Sequence, residues 1–135
     1  MGKLVSIILP NYNHAKYLEA RLDSIFNQSY QNFEVLLLDD CSTDSSLEIL
    51  SKYESHPKVS HFIPNKKNSG SPFLQWQKGL KLAKGQFIWI AESDDFCDLN
   101  FLETQLKCLE IADVAVAKTM AYYKGASENE VLHPI

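Results

Sequence analysis

Cysteine is sparse: Cys41, Cys97 and Cys108 are the only three in 135 residues, an odd, widely spaced set with no C-x-x-C pair. That pattern argues against a disulfide framework and a zinc site, and it points to a reducing compartment. Glycine is also scarce, with five in all, and no G-x-G-x-x-G follows the first apolar segment, which removes the dinucleotide-binding fingerprint. Positive charge does not dominate anywhere. Thirteen Lys and Arg against 17 Asp and Glu leave a formal net charge of -4, with the lysines spread among acids. No basic stripe exists for a polyanion, so no nucleic-acid partner is expected. Long apolar runs are missing too: Met1 to Pro10 holds about six apolar residues, short of a signal peptide's core and of the ~20 residues of a membrane span. A cytoplasmic protein is expected, with peripheral association at the inner membrane face and an anchor outside this chain left open. His14, His56, His61 and His133 show no metal-ligand spacing and no evident serine or cysteine partner, so surface or helix-end positions are expected.

What is present is enough apolar material, 45% of the residues, to close one compact core, in a chain too short for two ordinary domains. Strand-length apolar runs alternate with segments of helical period, the pattern of repeated βαβ units around a mostly parallel sheet. Five strands are expected, at Leu4 to Leu9, Phe33 to Leu38, Val59 to Ile63, Phe87 to Ala91 and Asp113 to Lys118. Four helices are expected between and after them, at His14 to Gln28, Thr43 to Tyr53, Phe73 to Lys84 and Leu99 to Ile111, with Gly85 ending the third as a C-cap. Trp76 and Trp89 read as core or sheet-face residues, and the cysteines as small buried hydrophobes. In open α/β sheets ligands bind beyond the carboxyl ends of the strands, so the loops there are the ones to search.

Four constellations stand in those loops. Pro10-Asn11-Tyr12-Asn13 follows the first strand; the proline should end it, and an aromatic ring between two amides could stack on a base and satisfy its edge, or form an ordinary turn. Asp39 and Asp40 end the second strand. Adjacent acids there repel, which is easier to understand if a base, a ribose hydroxyl or a cation uses them, although Asp39 and Asp44 could instead cap the next helix with Asp40 solvated. Glu92-Ser93-Asp94-Asp95 places three carboxylates within four residues after the fourth strand, a set suited to a hard divalent cation, Mg²⁺ or Mn²⁺, or else to a solvated acidic turn. Asn68-Ser69-Gly70 lies in the loop after the third strand, where Gly70 permits close approach of a ligand to backbone or simply a turn.

Taken in order, strand-PNYN, helix, strand-DD, helix, strand-NSG, helix ending AKG and strand-ESDD, the sequence resembles the family 2 glycosyltransferases of GT-A type over nearly its whole length. The resemblance also includes Ser24-Ile25-Phe26-Asn27-Gln28-Ser29-Tyr30 and Cys41-Ser42-Thr43-Asp44. It implies a GT-A, Rossmann-like three-layer sandwich and a nucleotide-sugar donor, with a UDP-sugar expected. It further implies that Pro10 and Tyr12 line the nucleobase pocket with Asn11, that Asp40 of the Asp39-Asp40 pair bonds the base edge, and that Asp94 lies near the ribose or sugar. Asp95 would ligate Mn²⁺ or Mg²⁺ on the diphosphate. The acceptor would be a saccharide, a lipid-linked sugar or a protein, in surface polysaccharide or glycoconjugate synthesis. Three departures accompany the likeness. Cys41 stands where glycine or asparagine is usual, and Trp76-Gln77 where Arg-Asn is frequent. No acid after Asp113 has a setting for the general base, since Glu128 and Glu130 lie in a polar tail, so that base is expected outside this chain.

The expected organisation is a nucleotide-sugar-binding domain over residues 1–124, followed at 125–135 by a polar tail or the start of an acceptor half. Two other readings are weighed. A phosphoacceptor receiver domain also uses strand-end acids and a lysine such as Lys118, but its acid pair should follow the first strand, not the second. A non-catalytic nucleotide-sugar-binding module would keep the donor site alone.

Overall fold

The computed structural model describes residues 2–117, 121–122 and 131–132. The chain divides into two compact units, Met1–Phe101 and Leu102–Ile135. The first contains β1 (Val5–Asn11), α1 (Ala15–Phe26), β2 (Phe33–Asp39), α2 (Ser46–Ser51), β3 (Val59–Pro64), α3 (Pro72–Leu82) and β4 (Phe87–Ile90). Its four strands form one all-parallel sheet in the order β3-β2-β1-β4. Right-handed crossovers then put α1 and α2, which pack on each other, on one face, and α3, which packs on β1 and β2, on the other. The strand order reverses at β1, so the crevice between the ends of β1 and β4 is the topological switch point. The middles of the two central strands are apolar because both faces are covered: Ile7, Ile8, Leu9, Val35, Leu36, Leu37 and Leu38 are wholly buried.

β1 runs past Pro10, which was expected to end it, and the ladder explains why. In a parallel strand alternate residues bond to opposite neighbours. Ile8 O accepts from Ala91 N on the β4 side, whereas Asn11 O accepts from Asp40 N on the β2 side. Pro10 thus faces the β4 side, beyond Ile90, the last residue of β4 in register with β1. Its missing N–H breaks no ladder bond.

α3 is started by Ser71, whose Oγ accepts from Phe73 N at 3.2 Å, and by Pro72 in the first turn. It ends at Leu82, and Gly85 is not its C-cap: the cap residue is Ala83, in extended conformation. Gly85 serves instead as a contact point with β1. A Cβ there would lie 2.6 Å from Ser6 N and 2.7 Å from Leu4 O, and Gly85 N donates to Ser6 Oγ.

In the second unit α4 (Phe101–Cys108) is followed by β5 (Ala121–Tyr122) and β6 (Val131–Leu132), which form a separate antiparallel pair. The strand expected at Asp113 to Lys118 is absent over residues 113–117, where Val114 and Val116 are 74% and 87% exposed and have no sheet partner. Lys118, Glu128, Glu130 and the boundary expected at 124/125 lie outside the described residues. No helix among the described residues is long and apolar enough to cross a membrane.

Gly85→Ala should lower stability by about 3 kcal/mol, because the new methyl meets backbone that cannot yield. Gly70→Ala, at φ +82° with open space around it, should cost only about 1 kcal/mol of left-handed strain. Urea midpoints at constant m-value check the ranking, and equal losses would contradict the contact assigned to Gly85.

Candidate functional site

One cavity of about 320 Å³ opens at the switch point, within the range of about 300–1,000 Å³ usual for small-molecule sites. Each of the four parallel strands sends residues to it. Pro10, Asn11, Tyr12 and His14 come from the end of β1 and its loop, Asp40 from the end of β2, Asn68, Gly70, Ser71 and Pro72 from the β3–α3 connection with Gln75 on α3, and Glu92 from the end of β4. Tyr12 is 47% exposed, an aromatic ring available for stacking. Gly70 has φ +82°, a conformation that a side chain would strain.

Asp39 and Asp40 are both buried, so Asp40 is not the solvated acid that was considered. Asp39 stands behind the cavity and accepts from Asn11 Nδ2 at 2.8 Å, Ser42 N at 2.8 Å and Ser42 Oγ at 2.7 Å. Asp40 accepts from Asn65 Nδ2 at 2.8 Å, Ser69 N at 2.8 Å and Ser69 Oγ at 2.7 Å, so it fixes the Asn68-Ser69-Gly70 loop. Asp44 accepts from Ala15 N at 3.0 Å and Ser46 N at 2.9 Å, meeting an orphan donor at the start of α1 as well as one of α2. Cys41 adopts φ 64°, which gives a physical reason for the glycine or asparagine usual at that position.

The acidic loop divides. Glu92 lines the cavity, half-buried, with its Oε1 accepting from Trp76 Nε1 at 2.8 Å, while Asp94 and Asp95 are exposed and off the cavity wall. Burial pushes the Glu92 carboxyl above its ordinary range, and the negative charges of Asp94 and Asp95 add to that rise against the Trp76 hydrogen bond. Among the described residues no three His, Cys, Asp or Glu side chains form a ready metal cage.

Three residues at this site were not expected to belong to it. His14 Nδ1 lies 2.8 Å from Ser93 Oγ, a serine partner invisible in the sequence because 79 positions separate the two. Arg21, on the buried face of α1 with Leu18 and Leu22, donates from Nε to Glu92 O at 2.9 Å and packs 5.2 Å from the Trp89 ring centroid. Burial lowers its pKa, opposed by its contact with Cys97 and by the negative charges of Asp95 and Asp94. A cation at helical spacing among apolar residues was the available signal. Gln75, 2% exposed, had none, because a glutamine in an amphipathic helix is unremarkable. Cys108 is exposed and Cys41 and Cys97 half-buried, all three as free thiols, so the cysteines are not the buried hydrophobes expected.

A profile of the family described as Glycosyl transferase family 2 matches residues 6–134. The chain is 35% identical over 119 residues to the glycosyltransferase GlyG of Streptococcus pneumoniae serotype 4, covering 86% of this chain and 38% of that protein. It is 38% identical over 102 residues to the poly(ribitol-phosphate) beta-N-acetylglucosaminyltransferase TarS of Staphylococcus aureus, covering 73% of this chain and 17% of TarS. The structure of S. aureus TarS 1-349 in complex with UDP-GlcNAc superposes with a TM-score of 0.71 at 33% identity, over 78% of this chain and 31% of that one. The mannosyltransferase PcManGT from Pyrobaculum calidifontis, in complex with GDP-Man and Mn²⁺, gives 0.59 at 28% identity, over 68% and 28%. The chain thus spans less than two fifths of the length of these relatives. A family match over this range displaces the receiver-domain reading.

Because the Glu92 carboxyl is raised in the fold, its contribution to stability is full below the unfolded value of 4.5 and is lost as pH rises through the higher folded value. Glu92→Gln keeps an oxygen for Trp76 and removes the charge. It should therefore gain stability relative to the parent at pH 7 and lose that advantage by pH 4, read from urea midpoints at both pH values. An advantage that does not depend on pH would contradict the assignment.

Proposed function

The chain belongs to glycosyl transferase family 2, and from that membership we propose that its cavity seats a nucleotide-sugar donor, a UDP-sugar, whose glycosyl group passes to an acceptor hydroxyl. The observation that carries this reading is the convergence of four strand-end loops on one cavity that combines an exposed aromatic ring, a buried carboxylate and a left-handed glycine. Pro10, Asn11 and Tyr12 would take the base together with Asp40, anchored from behind by Asp39. Gly70 would let the diphosphate or ribose approach backbone, and Asp94 would stand near the ribose or sugar. The TarS complexes with UDP and UDP-GlcNAc support a uridine donor, and the description of TarS as a poly(ribitol-phosphate) transferase supports an acceptor in a surface polysaccharide or glycoconjugate. The free thiols support a cytoplasmic location.

In the transfer, the acceptor hydroxyl gives its proton to a general base while its oxygen bonds to the anomeric carbon, the bond from that carbon to the diphosphate breaks, and the nucleoside diphosphate departs with that electron pair. Asp40 is held by Asn65 and Ser69, and Glu92 by Trp76. Neither is assigned as the base that takes the hydroxyl proton.

The acidic loop fits a divalent cation, Mn²⁺ or Mg²⁺. Its donors are all oxygen, and the charges of Asp94 and Asp95 are close enough to raise the Glu92 carboxyl. Hard cations often take only one or two protein carboxylates and complete their shell from phosphate and water. Asp95 is the assigned ligand. A bound cation would offset the charge that develops on the departing diphosphate.

Calorimetric titration of UDP into the purified chain with Mn²⁺, and again with EDTA, tests the assignment. UDP should bind with Mn²⁺, and Asp95→Ala should weaken that binding about tenfold, a loss of ~1.4 kcal/mol, with little change in EDTA. Equal binding in all four arms would remove the cation from Asp95. Absence of any nucleotide binding by the folded protein would end the donor reading.

A further inference from the structure

The cavity wall is short of positive charge. Asp40 and Glu92 stand on it, and no lysine or arginine is among the described residues that line it, so His14 is the one side chain there able to become a cation. The loop beyond Glu92 adds Asp94 and Asp95. A single divalent cation would not balance these carboxylates and a diphosphate together.

His14 occupies the N-cap position of α1 but makes no capping bond with its side chain. Asp44 meets that end of the helix instead, accepting from Ala15 N at 3.0 Å, which leaves the imidazole to turn toward the end of β4. There Nδ1 lies 2.8 Å from Ser93 Oγ, and the Tyr17 ring packs edge-on with centroids 6.1 Å apart. The ring is thus held on two sides in a half-buried residue of the cavity wall. Nε2, its other nitrogen, has no hydrogen-bond partner among the described residues.

The Ser93 contact also decides what Nε2 can offer. Ser93 is 1% exposed, and His14 is the only hydrogen-bond partner of its hydroxyl among the described residues. A buried O–H is nearly always donated, so the hydroxyl gives its hydrogen to Nδ1. In the neutral ring the imidazole hydrogen then sits on Nε2, and in the protonated ring one sits there as well. His14 therefore presents a donor in either charge state. Glu92, on the same wall, is close enough to feel the positive form.

We propose that His14 binds the diphosphate of the donor, its Nε2–H donating to a phosphate oxygen. This rests on the donor reading above and deepens it by naming a contact to the diphosphate that needs no metal. The order of residues locates it. Pro10, Asn11 and Tyr12 lead into His14 from the base end of the ligand, and Ser93, bonded to it, belongs to the loop that carries Asp94 and Asp95 at the cation end. A diphosphate spans the interval between those ends, and hydrogen bonds to its charged oxygens are stronger than those to neutral acceptors.

The test titrates UDP by calorimetry with Mg²⁺, and uridine by backbone amide shifts, into the parent protein, His14→Ala, His14→Asn and His14→Gln. Asparagine can put a polar atom near the Nδ1 position and keep the Ser93 contact, whereas glutamine reaches nearer to Nε2 and keeps the donor. His14→Ala should weaken UDP binding about tenfold and leave uridine binding unchanged. His14→Gln should recover most of that loss and His14→Asn little of it. The histidine ring nitrogens of the parent give a readout that needs no substitution: UDP should shift an Nε2 signal and uridine none. Bound UDP that leaves every histidine ring signal in place would overturn the proposal, as would UDP affinity unchanged in His14→Ala, or an equal loss of uridine and UDP. Recovery by asparagine and not by glutamine would reduce His14 to a hold on Ser93 and overturn it too. In each of these cases the donor reading stands, whereas a folded parent that binds neither ligand would overturn both.

Discussion

Successive residues of a strand point to opposite sides, so Asp39 and Asp40 leave the end of β2 in different directions and are buried against different loops. Each accepts three hydrogen bonds, Asp39 from Asn11 and Ser42, Asp40 from Asn65 and Ser69. A buried carboxylate left without such partners would cost several kcal/mol. The loops after β1, β2 and β3 therefore take the shapes that satisfy these two charges, and the cavity is the space those shapes leave. Asn13 adds a cross-link of the same kind, its Oδ1 accepting from Thr43 N at 2.7 Å while its own backbone adopts φ 55°. A single pair of acids in the middle of the sheet thus organises loops that are far apart in the chain.

The β4 side is organised from below. Arg21 reaches up from α1 to the carbonyl of Glu92, Trp76 reaches from α3 to its carboxyl, and His14 meets Ser93. One short loop is gripped by elements on both faces of the sheet. Such a grip limits the motion of Glu92 and Ser93, while Asp94 and Asp95, the next two residues, remain exposed. A rigid base carrying a free pair of carboxylates suits a site that must meet a charged ligand without rearranging its wall.

Much of the fold was legible because both signals it depends on are local. Apolar runs of strand length separated by segments of helical period specify a parallel sheet, and the four strands of that sheet fall where the runs lie, within about two residues at each end. The run at 113–117 was misread for the same reason: it has strand composition, but a strand also needs a neighbour, and composition says nothing of neighbours. Gly85 was misread because a glycine after a helix looks like a cap, whereas its contact is with residues about 80 positions earlier. At the site, Pro10, Asn11, Tyr12, Asp40 and Gly70 could be found because loop residues at strand ends are conspicuous. Gln75, Arg21 and the partner of His14 could not, since their roles come from packing between elements distant in the chain. The tautomer of His14 is legible only once Ser93 is seen buried against it.

The proline in β1 has one more consequence. Beyond Ile8, β1 has no partner on its β4 side among the described residues, so there a strand at the centre of the sheet becomes, for its last few residues, an edge. Edges with free N–H groups invite pairing with strands of other molecules, and this one lies beside an opening wide enough to admit a ligand. At position 10 the inviting N–H does not exist. The residue that shapes one wall of the cavity also keeps the split in the sheet from acting as a template for aggregation.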